Sequence, residues 1–233
     1  MATRVATGIA VFLVTILTVS GTAIAADTGS ISGKIVLNGE VPAVETIEIN
    51  KDTEKCGTEK DISKVVVGEG KGLQWAVVTV EGAEGTRPID AEQLKLNQEG
   101  CQFDPHVVIV PSKTDMKVLN SDGILHNVHT YSEANIPINV AQPGFLPEIA
   151  IKFAETEIIK VTCDVHSWMT GYIVVTDTPF VAVTDASGSF NIEGLKPGNY
   201  KLRIWHEVLG EMERDVTVES AGDAQVTVEM AMK

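Results

Sequence analysis

The chain has 233 residues, with 32 acidic against 18 basic side chains, three cysteines, five histidines and 44% apolar residues. That much apolar material builds a real core in one large or two modest domains, which excludes a disordered chain and a cysteine-stapled toxin. A net charge of −14 speaks against a nucleic-acid partner, because phosphate neutralisation needs clustered Lys and Arg, and suits steering toward basic partners.

Residues 1–25 carry one cation, Arg4, followed by an uncharged apolar run from Val5 to about Val19 and then Ala23-x-Ala25. An early charge, an apolar run and a small-residue cleavage site make a secretory signal peptide. The run is about 15 residues, short of the roughly 20 that span a bilayer. Cleavage near Ala26 is therefore expected over retention as an anchor, leaving no membrane span and a periplasmic or secreted protein. In an oxidising compartment, three cysteines divide into one pair and one thiol. Cys56 and Cys101 sit in polar, turn-like settings, whereas Cys163 ends an apolar strand near His166. The expected disulfide is Cys56–Cys101, adding roughly 2–4 kcal/mol. A bound metal would account for the thiol left over at Cys163, which otherwise tends to oxidise.

Beyond residue 30 the pattern is strand after strand. Ile31 to Leu37 alternates, Val65 to Val67 and Leu73 to Val80 follow, and Val107–Val110, Met116–Leu119, Ile149–Phe153, Ile158–Val161 and Tyr172–Val175 are apolar runs. The tail adds Phe190–Ile192, Tyr200–Ile204, Val216–Val218 and Val226–Val228, with Asn38-Gly39, Ser187-Gly188 and Pro197-Gly198-Asn199 as turn signals. No window keeps apolar residues at helical spacing for three turns. Short, regularly punctuated strands predict an all-β protein of sandwich architecture. Composition breaks at Glu81–Gln93 and at Asp177-Thr178-Pro179 bound a block, residues 93–177, large enough for a compact sandwich.

Inside that block, Cys163-x-x-His166-x-x-Met169 places a thiolate, an imidazole and a thioether on one loop, and His126-Asn127-Val128-His129 lies upstream. Two histidines and a cysteine with a weak axial methionine are the donor set of a blue-copper electron-transfer site, since soft sulfur favours Cu(I) and imidazole also suits Cu(II). Singly, a cysteine in a strand is a small core residue and a methionine beside a tryptophan is packing. Their common spacing and the exported context favour a metal. Zinc also takes Cys and His, although a methionine ligand would be odd for it.

These residues resemble the cupredoxins. The Cys163, His166, Met169 spacing resembles the amicyanin ligand loop, and His126-Asn127-Val128 resembles the family's first-histidine motif. Phe103 through Asp122 resembles the strands before that motif, and Gly171 to Val175 the closing strand. The resemblance, over roughly Leu94 to Val175, implies a Greek-key sandwich holding one mononuclear type 1 copper. His126, Cys163 and His166 would be its equatorial ligands and Met169 the axial one. It further implies an Asn127 N–H donated toward the Cys163 sulfur and an exposed His166 edge serving as electron port, ringed by Pro143, Phe145, Leu146 and Trp168. Asp164, beside the loop, would favour Cu(II) if unscreened. His129 is an alternative ligand to His126. His106 reads as a polar residue at a strand start, His206 as structural, and three clustered histidines for a catalytic type 2 copper are not evident.

The tail from Val181 to Leu202, with turns at Asp185–Gly188 and Gly198-Asn199, resembles carboxypeptidase regulatory-like domains, which are small transthyretin-like, immunoglobulin-like sandwiches. Gly29 to Ile35 resembles the opening strand of the same module. Residues 27–92 and 178–233 are therefore expected to complete one sandwich around the inserted copper domain. The leading expectation is an electron carrier rather than an enzyme, exchanging electrons with a c-type cytochrome or a periplasmic oxidoreductase. A non-redox binding or scaffold module and a copper carrier are the alternatives.

Overall fold

The computed structural model describes residues 27–86 and 90–232; the segment expected to be a signal peptide lies outside them. In chain order, the N-terminal flank contributes strand β1 (Gly29–Asn38), β2 (Thr46–Glu48), helix α1 (Thr53–Cys56), β3 (Glu59–Asp61) and β4 (Val77–Glu81). The middle of the chain supplies β5 (Lys95–Glu99), β6 (Gln102–Asp104), β7 (Val107–Pro111), β8 (Asp115–Asn120) and β9 (His126–Tyr131). It continues with β10 (Asn139–Gln142), β11 (Glu148–Lys152), β12 (Glu157–Thr162) and β13 (Thr170–Thr176). The C-terminal flank adds β14 (Val181–Val183), β15 (Ser189–Leu195), β16 (Gly198–His206), β17 (Gly210–Val218) and β18 (Asp223–Ala231).

Four main sheets make two sandwiches. In the central one, the sheet β10-β9-β12-β13-β7 and the sheet β11-β8-β5-β6 share a core that includes Leu96, Met116, Val118, Val128, Ile159 and Ile173. In the flanking one, β15-β1-β18 and β14-β4-β16-β17 share another, with Ile31, Ile35, Val78, Leu202 and Ile204 buried. Each flanking sheet thus draws strands from both ends of the chain: β1 pairs antiparallel with β15 and parallel with β18, and β4 pairs with β14 and β16. Period-two burial explains the pairing. Ile31, Ile35 and Leu37 point inward from β1, and Leu202, Ile204 and His206 from β16, so a one-residue slip would turn either strand's apolar set outward. At Gly33 a side chain would meet the Val226 carbonyl oxygen at 1.9 Å; only glycine lets β18 approach there.

Two expectations need correction. Val65–Val67 is no strand; Val67 makes only an isolated bridge to Leu73, and Trp75 adopts a left-handed backbone (φ 66°) that delays the next strand to Val77. Nor do residues 27–92 all belong to the flanking sandwich. The β2–β3 hairpin and α1 form an arm whose Ile47, Ile49 and Cys56 pack into the central core, because the Cys56–Cys101 disulfide binds the arm to the β5–β6 turn.

The sandwiches meet at Val77, Val107, Val174 and Val181, with Trp75, Tyr172 and Trp205 packed against them. His106 is absorbed in this contact: it stacks near Trp75 (centroids 4.2 Å apart), and its Nε2 lies 2.6 Å from Glu207 Oε1. Burial, reinforced by Glu207, raises the Tyr172 phenol above its ordinary range.

Candidate metal centre

Antiparallel pairing brings the two motifs together. β9 and β12 are neighbours, β12 runs into the loop carrying Cys163, and β13 leaves it at Thr170. His126, Cys163 and His166 are all buried and all converge. His126 Nδ1 lies 3.0 Å from His166 Nδ1, and the Cys163 sulfur lies 3.8 and 3.9 Å from those two nitrogens. A triangle with these sides has its centre about 2.1 Å from every corner, the length of a bond from a first-row ion to imidazole nitrogen and about 0.2 Å short of one to thiolate sulfur.

The loop is closed by its own backbone. The Met169 N–H donates to the His166 carbonyl, and the Cys163 N–H donates to that of Met169 (2.9 and 3.3 Å). Met169 is thereby folded into the core cluster that holds Cys163, with 1% of its surface exposed. Asn127 fastens β9 to the loop: its N–H points at the Cys163 sulfur at 3.5 Å, and its side-chain oxygen accepts the Asp164 N–H at 2.5 Å.

Carboxylates hold the outer nitrogens of both imidazoles. Asp122 Oδ2 is 2.8 Å from His126 Nε2, and Asp52 Oδ2 is 2.9 Å from His166 Nε2. An ionised carboxylate only accepts, so an imidazole that donates through Nε2 has its Nδ1 lone pair free on the side of the triangle. Burial lowers the His126 pKa; the Asp122 hydrogen bond opposes that shift, and the neighbouring His166 reinforces it. A neutral imidazole is the form that ligates. Two lone pairs and a thiol facing one another at these distances suit a soft cation, so the donor set fits copper.

Asp122 is itself fixed in place. It accepts the N–H groups of Gly100 and Cys101 at 2.6 and 2.8 Å, and the turn around it is held by Asn120, whose amide donates to the Ile124 and Gln142 carbonyls. The Cys56–Cys101 bridge therefore adjoins both supporting carboxylates: Asp122 grips the Cys101 backbone, and Asp52 opens the α1 turn that ends at Cys56.

The expected electron port is corrected. His166 is fully buried rather than presenting an edge, because Asp52 lies on its Nε2 and Lys51 Nζ donates to the Val165 carbonyl (3.3 Å). Trp168 is turned inward, its indole N–H donating to the Cys101 carbonyl at 3.1 Å, and Pro143 is half-buried. Phe145 is 88% exposed and Leu146 also reaches solvent, joined by Leu125 beside His126. His129 does not join the triangle. It faces away along β9, bonds Asp164 through Nδ1 at 2.9 Å and stacks on Tyr131. That hydrogen bond, with others from Asn139 and Asn127, keeps the Asp164 carboxyl below its ordinary range and occupies its charge away from the loop. Among the described residues, no three histidines converge.

The sequence assigns no supporting role to Asp122 or Asp52. Asp122 had a signal, a Ser-Asp-Gly turn four residues before His126. Asp52 had only its nearness to Cys56.

Residues 172–231 match the family described as Carboxypeptidase regulatory-like domain. A search of curated proteins finds no match. Among solved structures, the chain is similar to the Cu-containing nitrite reductase NirK from Thermus scotoductus SA-01, at 20% identity and a TM-score of 0.35. That similarity covers 42% of this chain and 24% of the reductase, so the chain spans about a quarter of the reductase's length. It is also similar to a purple cupredoxin from Nitrosopumilus maritimus (18% identity, 35% of this chain and 98% of that one, TM-score 0.30). A Cu(I) amicyanin mutant is similar at 13% identity, over 42% of this chain and 98% of its own, with a TM-score of 0.33.

Proposed function

We propose that this is an exported, mononuclear copper protein that carries single electrons between redox partners. The observation that supports the reading is the buried triangle of His126 Nδ1, His166 Nδ1 and Cys163 Sγ, whose centre lies about 2.1 Å from all three donors, close to ligand bond lengths. Met169, closed back onto Cys163 by the loop's backbone bonds, would supply a fourth, weaker donor through its thioether. Copper supplies a centre that alternates between Cu(II) and Cu(I). The chain's own residues supply rigidity. Asp122, Asp52 and the Asn127 N–H hold the ligands in one arrangement, so that little moves when the charge changes.

With the His166 edge covered by the arm, the partner docks on the apolar surface of Leu125, Phe145 and Leu146. The acidic chain steers a basic partner, such as a c-type cytochrome or a periplasmic oxidoreductase. The flanking sandwich braces the copper module through the His106–Glu207 contact.

Titration of the chain with Cu(II), followed by visible absorption, tests the reading. A strong thiolate-to-copper band that ascorbate bleaches and Cys163→Ala removes is the expected result. A folded wild-type protein without that band would contradict it and leave a non-redox binding module in its place.

A further inference from the structure

The arm lies more than a hundred residues from the ligand loop in sequence, yet it supplies the group that faces His166. Asp52 sits immediately before α1 with a left-handed backbone (φ 51°), a conformation aspartate tolerates better than most residues. Its carbonyl accepts the N–H groups of Lys55 and Cys56, both at 2.9 Å, and the Cys56–Cys101 bridge anchors that turn to the β5–β6 corner. Lys60 adds a second tether, its ammonium donating to the Gly100 carbonyl at 2.6 Å. From this anchored turn, Asp52 Oδ2 reaches His166 Nε2 at 2.9 Å, while the other ring nitrogen faces Cys163 and His126.

We propose that Asp52 is the positioning residue for His166: it fixes the Nε2–H tautomer, aims Nδ1 at the metal and, as an anion at the imidazole, favours Cu(II) over Cu(I). The inference rests on the copper reading and adds a residue from outside the copper module to its site. His126 and His166 are then a matched pair, each backed by one carboxylate, and the disulfide is the frame that holds both carboxylates in register. A carboxylate behind a ligating imidazole orients the ring and strengthens it as a donor, and its loss weakens metal affinity about 10–100-fold.

Three variants separate orientation from charge: Asp52→Ala removes both, Asp52→Asn keeps an acceptor without the charge, and Asp52→Glu restores the charge. Nitrogen-15 NMR of the metal-free chain reads the His166 tautomer, and competition with chelators reads Cu(II) and Cu(I) affinities separately. The wild-type chain is expected to hold His166 as Nε2–H, and Asp52→Ala to mix the tautomers and bind Cu(II) about 10–100-fold more weakly. Asp52→Asn is expected to keep the tautomer yet lower the Cu(II)-to-Cu(I) affinity ratio, with Asp52→Glu recovering it. A tautomer and an affinity ratio unchanged in all three variants, with the thiolate–copper band intact, would overturn the role of Asp52 alone. A wild-type chain lacking that band would overturn the copper reading and the metal-directed role with it, while the tautomer measurement would still report whether Asp52 orients the ring.

Discussion

The flanking sandwich fills its interior with Ile31, Leu73, Phe180, Ile192 and Leu202 and, among the described residues, buries few polar side chains, notably Thr184 and His206. The central sandwich is of similar build, yet it buries Gln98, Asn120, Asp122, His126, Gln142 and His166. A buried polar group costs free energy unless it is hydrogen-bonded, and here most of the groups are bonded to one another or to nearby backbone carbonyls, although Gln98 Oε1 is left without a partner. Gln98 donates to Gln142, Gln142 to the Val118 carbonyl, and Asn120 to the Gln142 carbonyl (2.7, 3.1 and 3.0 Å). One core is organised for stability and the other carries an ordered polar end, and the candidate centre lies at that end.

The two cores are expected to fail differently. Phe180→Ala, at a ring 1% exposed in the flanking core, is expected to cost about 3–5 kcal/mol in chemical denaturation while leaving the copper spectrum unaltered. Asp122→Ala is expected to cost about 3 kcal/mol, because the Gly100 and Cys101 N–H groups and His126 Nε2 lose their acceptor together, and to weaken copper binding as well. A spectral change in the first variant, or none in the second, would blur the comparison.

Acid sharpens it. Burial, opposed by Glu207 and reinforced by His106, lowers the His206 pKa from 6.5 to about 4. The folded chain keeps this imidazole neutral, whereas the unfolded chain takes up a proton as the pH falls below 6.5. The contribution is therefore intact above pH 6.5 and is lost progressively down to about pH 4, amounting to roughly 3 kcal/mol. Denaturant midpoints measured across that range should fall, and His206→Phe should flatten the slope. In the central sandwich, burial alone would raise the Glu157 carboxyl, but donors at Glu133, Asn135, Ser132 and Ala134 together hold it at about 2. Its contribution is present above about pH 4.5 and is lost as the pH falls toward 2. The smallest effect belongs to the solvent-exposed Lys117–Glu148 pair, where Lys117→Ala should change stability by less than about 0.5 kcal/mol and vanish in high salt.

Much of this was legible in the sequence because it is local. Alternation in β1 and β16, the Cys163 to Met169 spacing and the His126-Asn127-Val128 motif each lie within a few residues, where period and donor chemistry can be read directly. The pairing of Cys56 with Cys101 followed from their polar, turn-like settings, and the structure joins them. What escaped depends on distant segments. The arm's strands are three residues each and carry Glu48, Glu59 and Asp61, so neither length nor alternation marks them. Asp52 lies 114 residues from His166, and nothing around either residue announces the contact. The burial of His166 is hidden from the sequence for the same reason: its loop is covered only by the arm, through Asp52.

A single copper ion bound by His126, His166 and Cys163, as proposed, would keep those ligands through its redox cycle. X-ray absorption of the copper-loaded chain, oxidised and then reduced, tests it most directly. The expected result is a shell of two imidazole nitrogens and one short thiolate sulfur in both states, with only slight change in distance. A shell without sulfur, or one that loses an imidazole on reduction, would contradict it.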